Sequence, residues 1–461
     1  MNGTFSETAV VRVLVPVGML GGGFPPDTID VGIKMGAHLI AVDGGSTDSG
    51  PHFLGTATAK TARAAVARDL SVIVPAAFAA GIPVVVGSCA TGGTDAGVDW
   101  VFEILCEIAT SRDLLLNVAR IYSEQSSEAL VSCLSAGRIH PLAPSAPLAP
   151  ETISKCSHIV GLMGHEPIAM ALAQGADVVL AGRATDTALV AALPLMRGLP
   201  PGPVWHAGKI AECGGFCTDA PRSGGVLVSI DADGFTVEPL SPSAACTPST
   251  VFAHMMYENA DPNRLREPDG TLDTSAASYE ALDPRRVRVT GSRFEPAPYT
   301  IKLEGAAPVG YQTVIITGIR NPETLRRLDE WCNGVLEYLE HRVPSTFGLR
   351  PHDYDLRILR YGHDAVLGNA EPTKDAVPQE VGIVFTATAS SQALATELAK
   401  FANPVLLHAP LFGETEVPSY AFLGSPVEIE RGQIHEFVLN HVLDVNDPSD
   451  LFRVTYSKVP G

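Results

Sequence analysis

Apolar residues in the first half of the chain fall into short Val- and Ile-rich runs that alternate with longer Ala-rich stretches. Short runs bounded by Gly or Pro indicate strands, and the Ala-rich stretches indicate helices. This alternation predicts an α/β fold with a mainly parallel sheet and covering helices in the N-terminal part. Ligands bind outside the carboxyl ends of the strands in such sheets, so the loops that follow strands are the candidate site. The predicted strands include VVRVLVPV (10–17), IPVVVGS (82–88), SHIVGLMG (157–164) and ADVVLAG (176–182).

The pattern changes after about residue 220. A β-rich segment covers about 222–320, and a hairpin is predicted at residues 231–234 because Asp and Gly suit tight turns. From about 350 the pattern is that of a smaller α+β domain. We therefore predict two domains, residues 1–345 and 350–461. The predicted C-terminal strands are EVGIVFTAT (380–388), PVLLH (404–408) and HEFVLNHVL (435–443).

Composition narrows the classes of function. With 461 residues and 46% apolar content, the chain is long enough for two cores. A net charge of −19 without a dense Lys/Arg cluster argues against a nucleic-acid partner and favours a small-molecule ligand or a protein partner. Eight scattered cysteines suit reduced thiols, and no apolar run approaches the roughly 18 residues of a membrane span. We expect a cytoplasmic homo-oligomer that does not engage a membrane.

Two polar loops follow predicted strands near the N-terminus. The first, DGGSTDSG (43–50), carries more polar side chains than a simple reversal needs, and we predict Asp43 and Asp48 as catalytic residues. The second, GSCATGGTDAG (87–97), places two glycines ahead of a helix whose N-terminus would favour an anion. A bare turn is the competing interpretation of these glycines. The predicted substrate-binding residues of the two loops are Ser46, Thr47, Gly92, Gly93 and Thr94.

Two further loops carry charged residues. His165 and Glu166 begin a predicted helix, where Glu166 also suits the first turn, and we predict both as catalytic. Arg183 precedes another helix, where a cation gains nothing from the helix dipole. It suits either bidentate binding of a carboxylate or phosphate, or an internal pair with Asp186. Thr185 or Asp186 can also cap that helix, but we predict Thr185 as substrate-binding and Asp186 as catalytic.

The segment HAGKIAECGGFCTD (206–219) adds a predicted catalytic Glu212 and a substrate-binding Cys213. A nucleophilic Cys213 would need a base or a helix N-terminus nearby, and an inert buried cysteine is the alternative. No second Cys/His pair with zinc-like spacing follows, so we predict no metal ligands. The sequence identifies no cofactor.

Taken together, GADVVLAGRATDTALV (175–190) and HAGKIAECGGFCTD resemble segments of the acyclic terpene utilisation (AtuA-like) family. DGGSTDSGPHFLG (43–55), GSCATGGTDAG and two C-terminal segments are also similar to it, so the resemblance covers nearly the whole chain. The resemblance implies catabolism of branched carboxylic acids or their CoA thioesters, without fixing a reaction.

Three functions remain open from the sequence. The first is a lyase or hydratase acting on a branched carboxylate or acyl-CoA. There Arg183 fixes the substrate carboxylate, a carboxylate or His165 moves a proton, and Gly92 and Gly93 hold an oxyanion. The second is a non-catalytic or partner-dependent ligand-binding subunit, which the absence of a recognised catalytic motif allows. The third is an Mg²⁺- or Mn²⁺-assisted enzyme with Asp43, Asp48 and Asp186 as oxygen ligands.

Overall fold

The computed structural model describes residues 10–373, 375–411 and 420–460. The chain forms two compact units, one made of residues 1–307 and 437–461 and the other of residues 308–436. The described residues form the following strands: β1 Val11–Val15, β2 Leu39–Asp43, β3 Val84–Gly87, β4 Leu116–Tyr122, β5 Ile139–Pro141, β6 His158–Gly161, β7 Val178–Ala181, β8 Val226–Ile230, β9 Gly234–Pro239, β10 Arg264–Glu267, β11 Gly270–Asp273, β12 Ser278–Ala281, β13 Val287–Thr290, β14 Arg293–Pro296, β15 Thr300–Ile319, β16 Tyr354–Tyr361, β17 Val381–Ala389, β18 Tyr420–Phe422, β19 Glu428–Asp444 and β20 Arg453–Val459.

The α-helices carry the crossovers and cover the sheets. They are α1 Thr28–Lys34, α2 Pro51–Thr56, α3 Arg63–Ala80, α4 Asp95–Arg112, α5 Ser127–Ser135, α6 Pro150–Lys155, α7 Glu166–Ala173, α8 Asp186–Met196, α9 Pro201–Ala211, α10 Pro248–Met255, α11 Pro322–Arg326, α12 Leu328–Phe347 and α13 Gln392–His408. No α-helix in the described ranges has the length and apolar character needed to cross a bilayer.

The first unit is built on a ten-stranded sheet in the order β12-β13-β9-β8-β1-β2-β3-β7-β4-β20. Its five central strands, β1, β2, β3, β7 and β4, are parallel, whereas the strands on either side pair antiparallel. The α/β class is confirmed, but a mainly parallel sheet is not, because the flanking strands and the other sheets are antiparallel or mixed. The hairpin of β8 and β9 supplies one flank, with its turn where the sequence predicts it.

Burial on both faces explains why the central strands read as continuous apolar runs. Along β1 and β2, Val13 and Ala41 point into one core, whereas Leu14 and Ile40 point into the other. Helices α7, α8 and α9 pack on the first face, and α1, α3 and α4 pack on the second. The parallel strands are therefore fixed from both sides, and their carboxyl ends stay free to carry polar loops.

Long strands shape the rest of the chain. In the first unit, the start of β15 pairs with β6 and the end of β19 pairs with β5. In the second unit, β16, β17 and the remainder of β15 form antiparallel pairs, and α12 and α13 build a core around Trp331 and Phe385. The sequence places the second domain after residue 350. The second unit instead begins at residue 308, because β15 pairs with β17, and the chain returns to the first unit at residue 437.

One predicted C-terminal strand is wrong. PVLLH (404–408) is the last part of α13, which continues through Pro404 because Ala402 and Leu406 belong to the buried face of the helix. Packing of that apolar stripe outweighs the local preference of the Pro-containing run for an extended backbone. The strands predicted at 380–388 and 435–443 lie within or overlap β17 and β19, so those two predictions are confirmed.

Candidate active site

Five loops meet at the carboxyl ends of the parallel strands in the first unit. The loops after β2, β3, β7 and β4 bring polar groups to one buried cluster, and the loop after β1 lines a cavity beside it. The position agrees with the rule that open α/β sheets bind ligands at this edge. We call the polar cluster the acidic centre; its side chains are Asp43, Thr47, Ser88, Arg183, Asp186, Thr187, Lys209, Glu212, Glu267 and Glu304.

Asp43 ends β2 and is buried. Its Oδ2 accepts a hydrogen bond from the backbone N–H of Gly45 at 2.9 Å. Its Oδ1 is also buried and has no hydrogen-bond partner within the described part of the chain. Burial raises the pKa of Asp43 well above its ordinary value, Asp186 raises it further, and Arg183 opposes the shift. Burial therefore favours the protonated form of the Asp43 carboxyl.

Arg183 lies directly after β7 and its side chain is only 7% exposed. Its Nε donates to Oε2 of Glu304 at 3.2 Å, and its Nη1 donates to Ser88 Oγ at 3.1 Å and to Asp186 Oδ1 at 3.4 Å. Burial opposes its charge, but Glu304 and Asp186 raise its pKa above the ordinary value. The sequence left open whether Arg183 binds a ligand or pairs with Asp186. The structure contains the pair with Asp186.

Glu304 on β15 belongs to this cluster but was not predicted from the sequence, and the same holds for Ser88, Thr187, Lys209 and Glu267. Its Oε2 accepts from Thr47 Oγ1 at 2.8 Å, and its Oε1 lies 2.8 Å from Lys302 Nζ. Burial opposes ionisation, but Arg183 and Lys302 lower the pKa of Glu304 to about 2. Glu304 is 257 residues from Thr47 in sequence. The only local signal was a glutamate inside the apolar run IKLEGAA (301–307).

Asp186 and Glu212 face the acidic centre from the start of α8 and the end of α9. The Asp186 side chain is 27% exposed, whereas Glu212 is buried and bonded to Lys209 Nζ. Burial raises the pKa of both carboxyls; for Glu212 the pKa reaches about 8, against the opposing effect of Lys209 and with a further increase from Asp186. Glu212 therefore retains its proton at neutral pH.

The acidic centre holds more carboxyl groups than cations. Glu267 adds to the surplus: it is buried, accepts hydrogen bonds from Thr187 Oγ1 at 3.0 and 3.1 Å, and burial raises its pKa well above the ordinary value. The cations near these groups are Arg183, Lys209 and the part-exposed Lys302. Five buried or partly buried carboxyls cannot all be charged beside three cations, so some carry protons. These five are Asp43, Asp186, Glu212, Glu267 and Glu304.

The loop after β3 has a strained backbone. Ser88, Ala90 and Thr91 all have positive φ angles of 44°, 56° and 75°, an unusual conformation for a β-branched residue such as Thr91. The N–H groups of Gly92 and Gly93 already donate to the carbonyls of Ala90 and Cys89. These two N–H groups are therefore not free to hold an oxyanion.

Gly93 lies where the loop after β3 contacts Arg183, just beyond the end of β7, and this position requires a glycine. A Cβ at Gly93 would lie 2.2 Å from the backbone N of Arg183, and φ at Gly93 is +63°. Gly93→Ala is expected to destabilise the protein by about 1–2 kcal/mol for the left-handed backbone and a further 1–3 kcal/mol for the clash. Urea denaturation measures the loss.

Gly175→Ala is the matched control, because φ there is +78° and a Cβ would meet nothing within 4 Å. It carries the backbone cost alone, so Gly93→Ala should be the more destabilising of the two. Equal losses for the two variants would mean that the close approach of Gly93 to Arg183 is unimportant.

Several predicted site residues lie in capping positions. Ser46 Oγ accepts from the N–H of Asp48 and donates to Asp48 Oδ2 at 2.7 Å, and the Asp48 side chain is exposed. Thr94 Oγ1 accepts from the N–H of Gly97 and caps α4, which begins at Asp95. Thr185 precedes α8, and its Oγ1 lies 3.2 Å from Thr187 Oγ1. Local turn and cap chemistry accounts for these contacts.

His165 and Glu166 lie in a second cluster at the start of α7. His165 Nδ1 is 3.4 Å from Glu166 Oε1, and Tyr299 donates its hydroxyl proton to Glu166 Oε2 at 2.8 Å. Burial lowers the pKa of His165 and raises the pKa of Glu166. Asp269 completes the group and is separated by one residue from Glu267 of the acidic centre. The structure therefore divides the predicted catalytic residues between two neighbouring clusters, except for Asp48, whose exposed side chain belongs to neither.

Two groups in the described ranges have ligand atoms within 4.8 Å of one another, as a metal ion would require. One is His165, Glu166 and Asp269. The other is Glu212, Cys213 and His254, where Lys209 Nζ is already hydrogen-bonded to Glu212. We assign no ion to either group. Neither contains Asp43, Asp48 or Asp186, the carboxylates of the Mg²⁺ or Mn²⁺ alternative.

A cavity of about 490 Å³ opens beside the acidic centre. Cys213, the residue next to Glu212, lines it, and so does Tyr257, whose ring centre is 5.8 Å from Lys209 Nζ. Burial raises the pKa of Cys213, and Glu212 raises it further, so the thiol stays protonated and is not activated as a nucleophile. We call this cavity the cleft. Its size suits a small organic molecule.

Fold and site together define an α/β protein with a buried, carboxyl-rich centre at the edge of its parallel strands. The model of the family described as acyclic terpene utilisation family protein AtuA matches residues 62–419, and the chain belongs to this family. The resemblance predicted from the motifs is confirmed for that range, which begins after the 43–50 loop. No curated protein and no solved structure matches the chain.

Proposed function

We propose that this protein is a catabolic enzyme that moves protons in a lyase or hydratase reaction on a branched carboxylic acid or its CoA thioester. The observation that carries the proposal is the surplus of carboxyl groups over cations in the acidic centre. Proton-transfer catalysts need acids whose pKa is close to the working pH. Burial and mutual repulsion supply that condition here.

Glu212 and Asp186 have complementary roles in this proposal. Glu212, with a pKa of about 8, is protonated at neutral pH and serves as the acid. Asp186 is the more exposed of the two and lies 3.4 Å from the Arg183 guanidinium, which favours its charged form and suits a base. Asp186 raises the pKa of the buried Asp43 carboxyl, and Arg183 keeps the carboxylates in position rather than binding substrate. Family membership supports acyclic, branched substrates.

One observation favours a second candidate, a reaction assisted by Mg²⁺ or Mn²⁺. Asp43 Oδ1 is buried and has no hydrogen-bond partner in the described ranges, and an oxygen ligand in that state suits a hard cation. The neighbouring Arg183 weighs against it, because a guanidinium beside Asp43 repels a divalent ion.

The proposal is tested with the purified protein alone, in D₂O, with 3-methylbut-2-enoyl-CoA and 3-methylbutanoyl-CoA as probes. We expect deuterium to enter carbon 2 of at least one probe, measured by mass spectrometry, with loss of the enoyl-thioester absorbance if water adds. No exchange with either probe would contradict the proposal. Activity lost on chelation and restored by Mg²⁺ or Mn²⁺ would favour the second candidate.

The raised pKa of Glu212 also predicts how stability depends on pH. In the unfolded chain the carboxyl titrates near its ordinary value of 4.5, whereas in the folded protein it titrates at about 8. Between these values the folded state holds the extra proton, so the free energy of unfolding falls as pH rises from about 5 to 8. Urea denaturation at a series of pH values measures this slope.

Glu212→Gln should flatten part of that slope, because the variant has no proton to lose at this position. Glu128→Gln, an exposed residue in the first turn of α5, is the control and should leave the slope unchanged. A slope of the same size in Glu212→Gln and wild type would show that Glu212 titrates normally in the folded protein.

A further inference from the structure

We propose that Arg222 binds the anionic group of the substrate at the cleft. This role rests on the proposed function in one respect, that the substrate is an anion. Arg222 lies in the segment that connects α9 to β8 and is exposed. Among the residues that line the cleft it is the only one with a charged side chain. No sequence pattern distinguishes Arg222, which stands in the polar segment APRSGG (220–225).

The walls of the cleft suit an apolar substituent. Val17, Met19, Phe216 and Pro221 supply apolar surface, and Phe216 is 60% exposed, unusually high for a phenylalanine. Glycines on both sides let the backbone approach a ligand closely. A molecule with a branched hydrocarbon part and one anionic group fits these surroundings.

The guanidinium of Arg222 has no hydrogen-bond acceptor or carboxylate partner in the described part of the chain. This contrasts with Arg183, whose Nε and Nη1 are bonded inside the acidic centre, and with Arg288, which forms two bonds of 2.7 Å to Asp231. Arg183 is committed to holding carboxylates of the protein. Arg222 is free to bind a carboxylate or phosphate through two parallel N–H donors.

Local contacts hold the Arg222 segment in place. The N–H of Asp219 donates to the carbonyl of Ala245 at 2.9 Å, and the N–H of Ala245 donates to Asp219 Oδ1 at 2.7 Å. Ser223 donates from both its N–H and its hydroxyl to the carbonyl of Ala220. A side chain on a turn that is held by hydrogen bonds loses less conformational entropy on binding than a side chain on a flexible loop.

Charge also favours this assignment. An anion that approaches the carboxyl-rich acidic centre is repelled by any of its groups that are ionised, and the whole chain carries −19. A cation at the cleft offsets that repulsion and orients the ligand with its uncharged end toward Cys213 and Glu212. The anionic group is either the carboxylate of a free acid or a phosphate of CoA, and Arg222 suits both.

Isothermal titration calorimetry tests the inference with three probes: 3-methylbut-2-enoate, its CoA thioester, and CoA alone. We expect Arg222→Ala to weaken binding at least tenfold for the probes that carry the recognised anion, as the loss of a charged hydrogen-bonded contact predicts. Arg222→Lys should recover part of the affinity. Arg112→Ala is the control and should bind the probes as wild type does. Arg112 is exposed at the end of α4, an 18-residue helix that begins at the site and is roughly 27 Å long.

The pattern across probes identifies the anion. Weaker binding of the free acid assigns a carboxylate, whereas weaker binding of the thioester and of CoA, with the free acid unchanged, assigns a phosphate. Unchanged binding of all three probes by Arg222→Ala, or no binding of any probe by wild type, would overturn the inference. The proposed function fails separately: wild type would then bind a probe through Arg222 yet catalyse no deuterium exchange.

Discussion

Asp186→Asn is expected to lower the rate of deuterium exchange into the acyl probe by about 10²- to 10⁴-fold, the usual contribution of a positioned general base or acid. The amide keeps the shape of the side chain and can still meet Arg183, whose Nη1 lies 3.4 Å from Asp186 Oδ1. It cannot accept the substrate proton. The loss should therefore appear mainly in kcat, with KM for the probe changed little.

Asp113→Asn is the matched control for this variant. Asp113 is exposed, follows α4, and has a left-handed backbone with φ of 55°, a conformation that Asn tolerates well. Its exchange rate should equal that of wild type. If Asp186→Asn also exchanged at the wild-type rate while remaining folded, Asp186 would have no part in proton transfer.

Arg183→Met is expected to destabilise the protein by about 3–5 kcal/mol, the range found when one partner of a buried ion pair is removed. The side chains of Arg183 and Glu304 are 7% and 6% exposed, and they are joined at 3.2 Å. Without the guanidinium, the carboxylate of Glu304 stays buried beside Thr47 with Lys302 as its remaining cation. Urea denaturation followed by circular dichroism measures the difference.

A second substitution distinguishes lost charge balance from lost packing. Arg183→Met combined with Glu304→Gln removes both charges and should recover part of the stability, so the two single losses should not add. Arg63→Met is the control, because Arg63 makes two hydrogen bonds to Glu107 on the surface, where such pairs contribute little. A loss in Arg183→Met no greater than in Arg63→Met would contradict the structural role of this pair.

The local sequence pattern was sufficient to predict where the main loops lie. The apolar runs before Asp43 and Arg183 are short because each strand is buried on both faces and ends where the chain leaves the sheet. Parallel order then requires the two loops to lie at one edge. Thr94 as the residue before α4 also follows from sequence, since a threonine ahead of an apolar helix is a recognisable cap.

Long-range pairing decided which of these residues face one another. Glu304 reaches Thr47 and Arg183 because β15 pairs with β6, a register that joins Leu303 to Gly161. The periodicity of apolar residues in the sequence does not predict that β15 pairs with β6. For the same reason, the sequence could not tell that Arg183 is bonded to Glu304.

By itself, the sequence determined the α/β class, the family, and the loops that carry polar residues, because periodicity, capping and motif spacing are properties of neighbouring residues. Only the tertiary structure decided the charge state of the site. The pKa of a carboxyl depends on its burial and on every charge within several ångströms, and those neighbours come from distant parts of the chain. Glu212 and Glu304 are both buried glutamates, yet Arg183 and Lys302 lower the pKa of one to about 2, whereas burial raises the other to about 8.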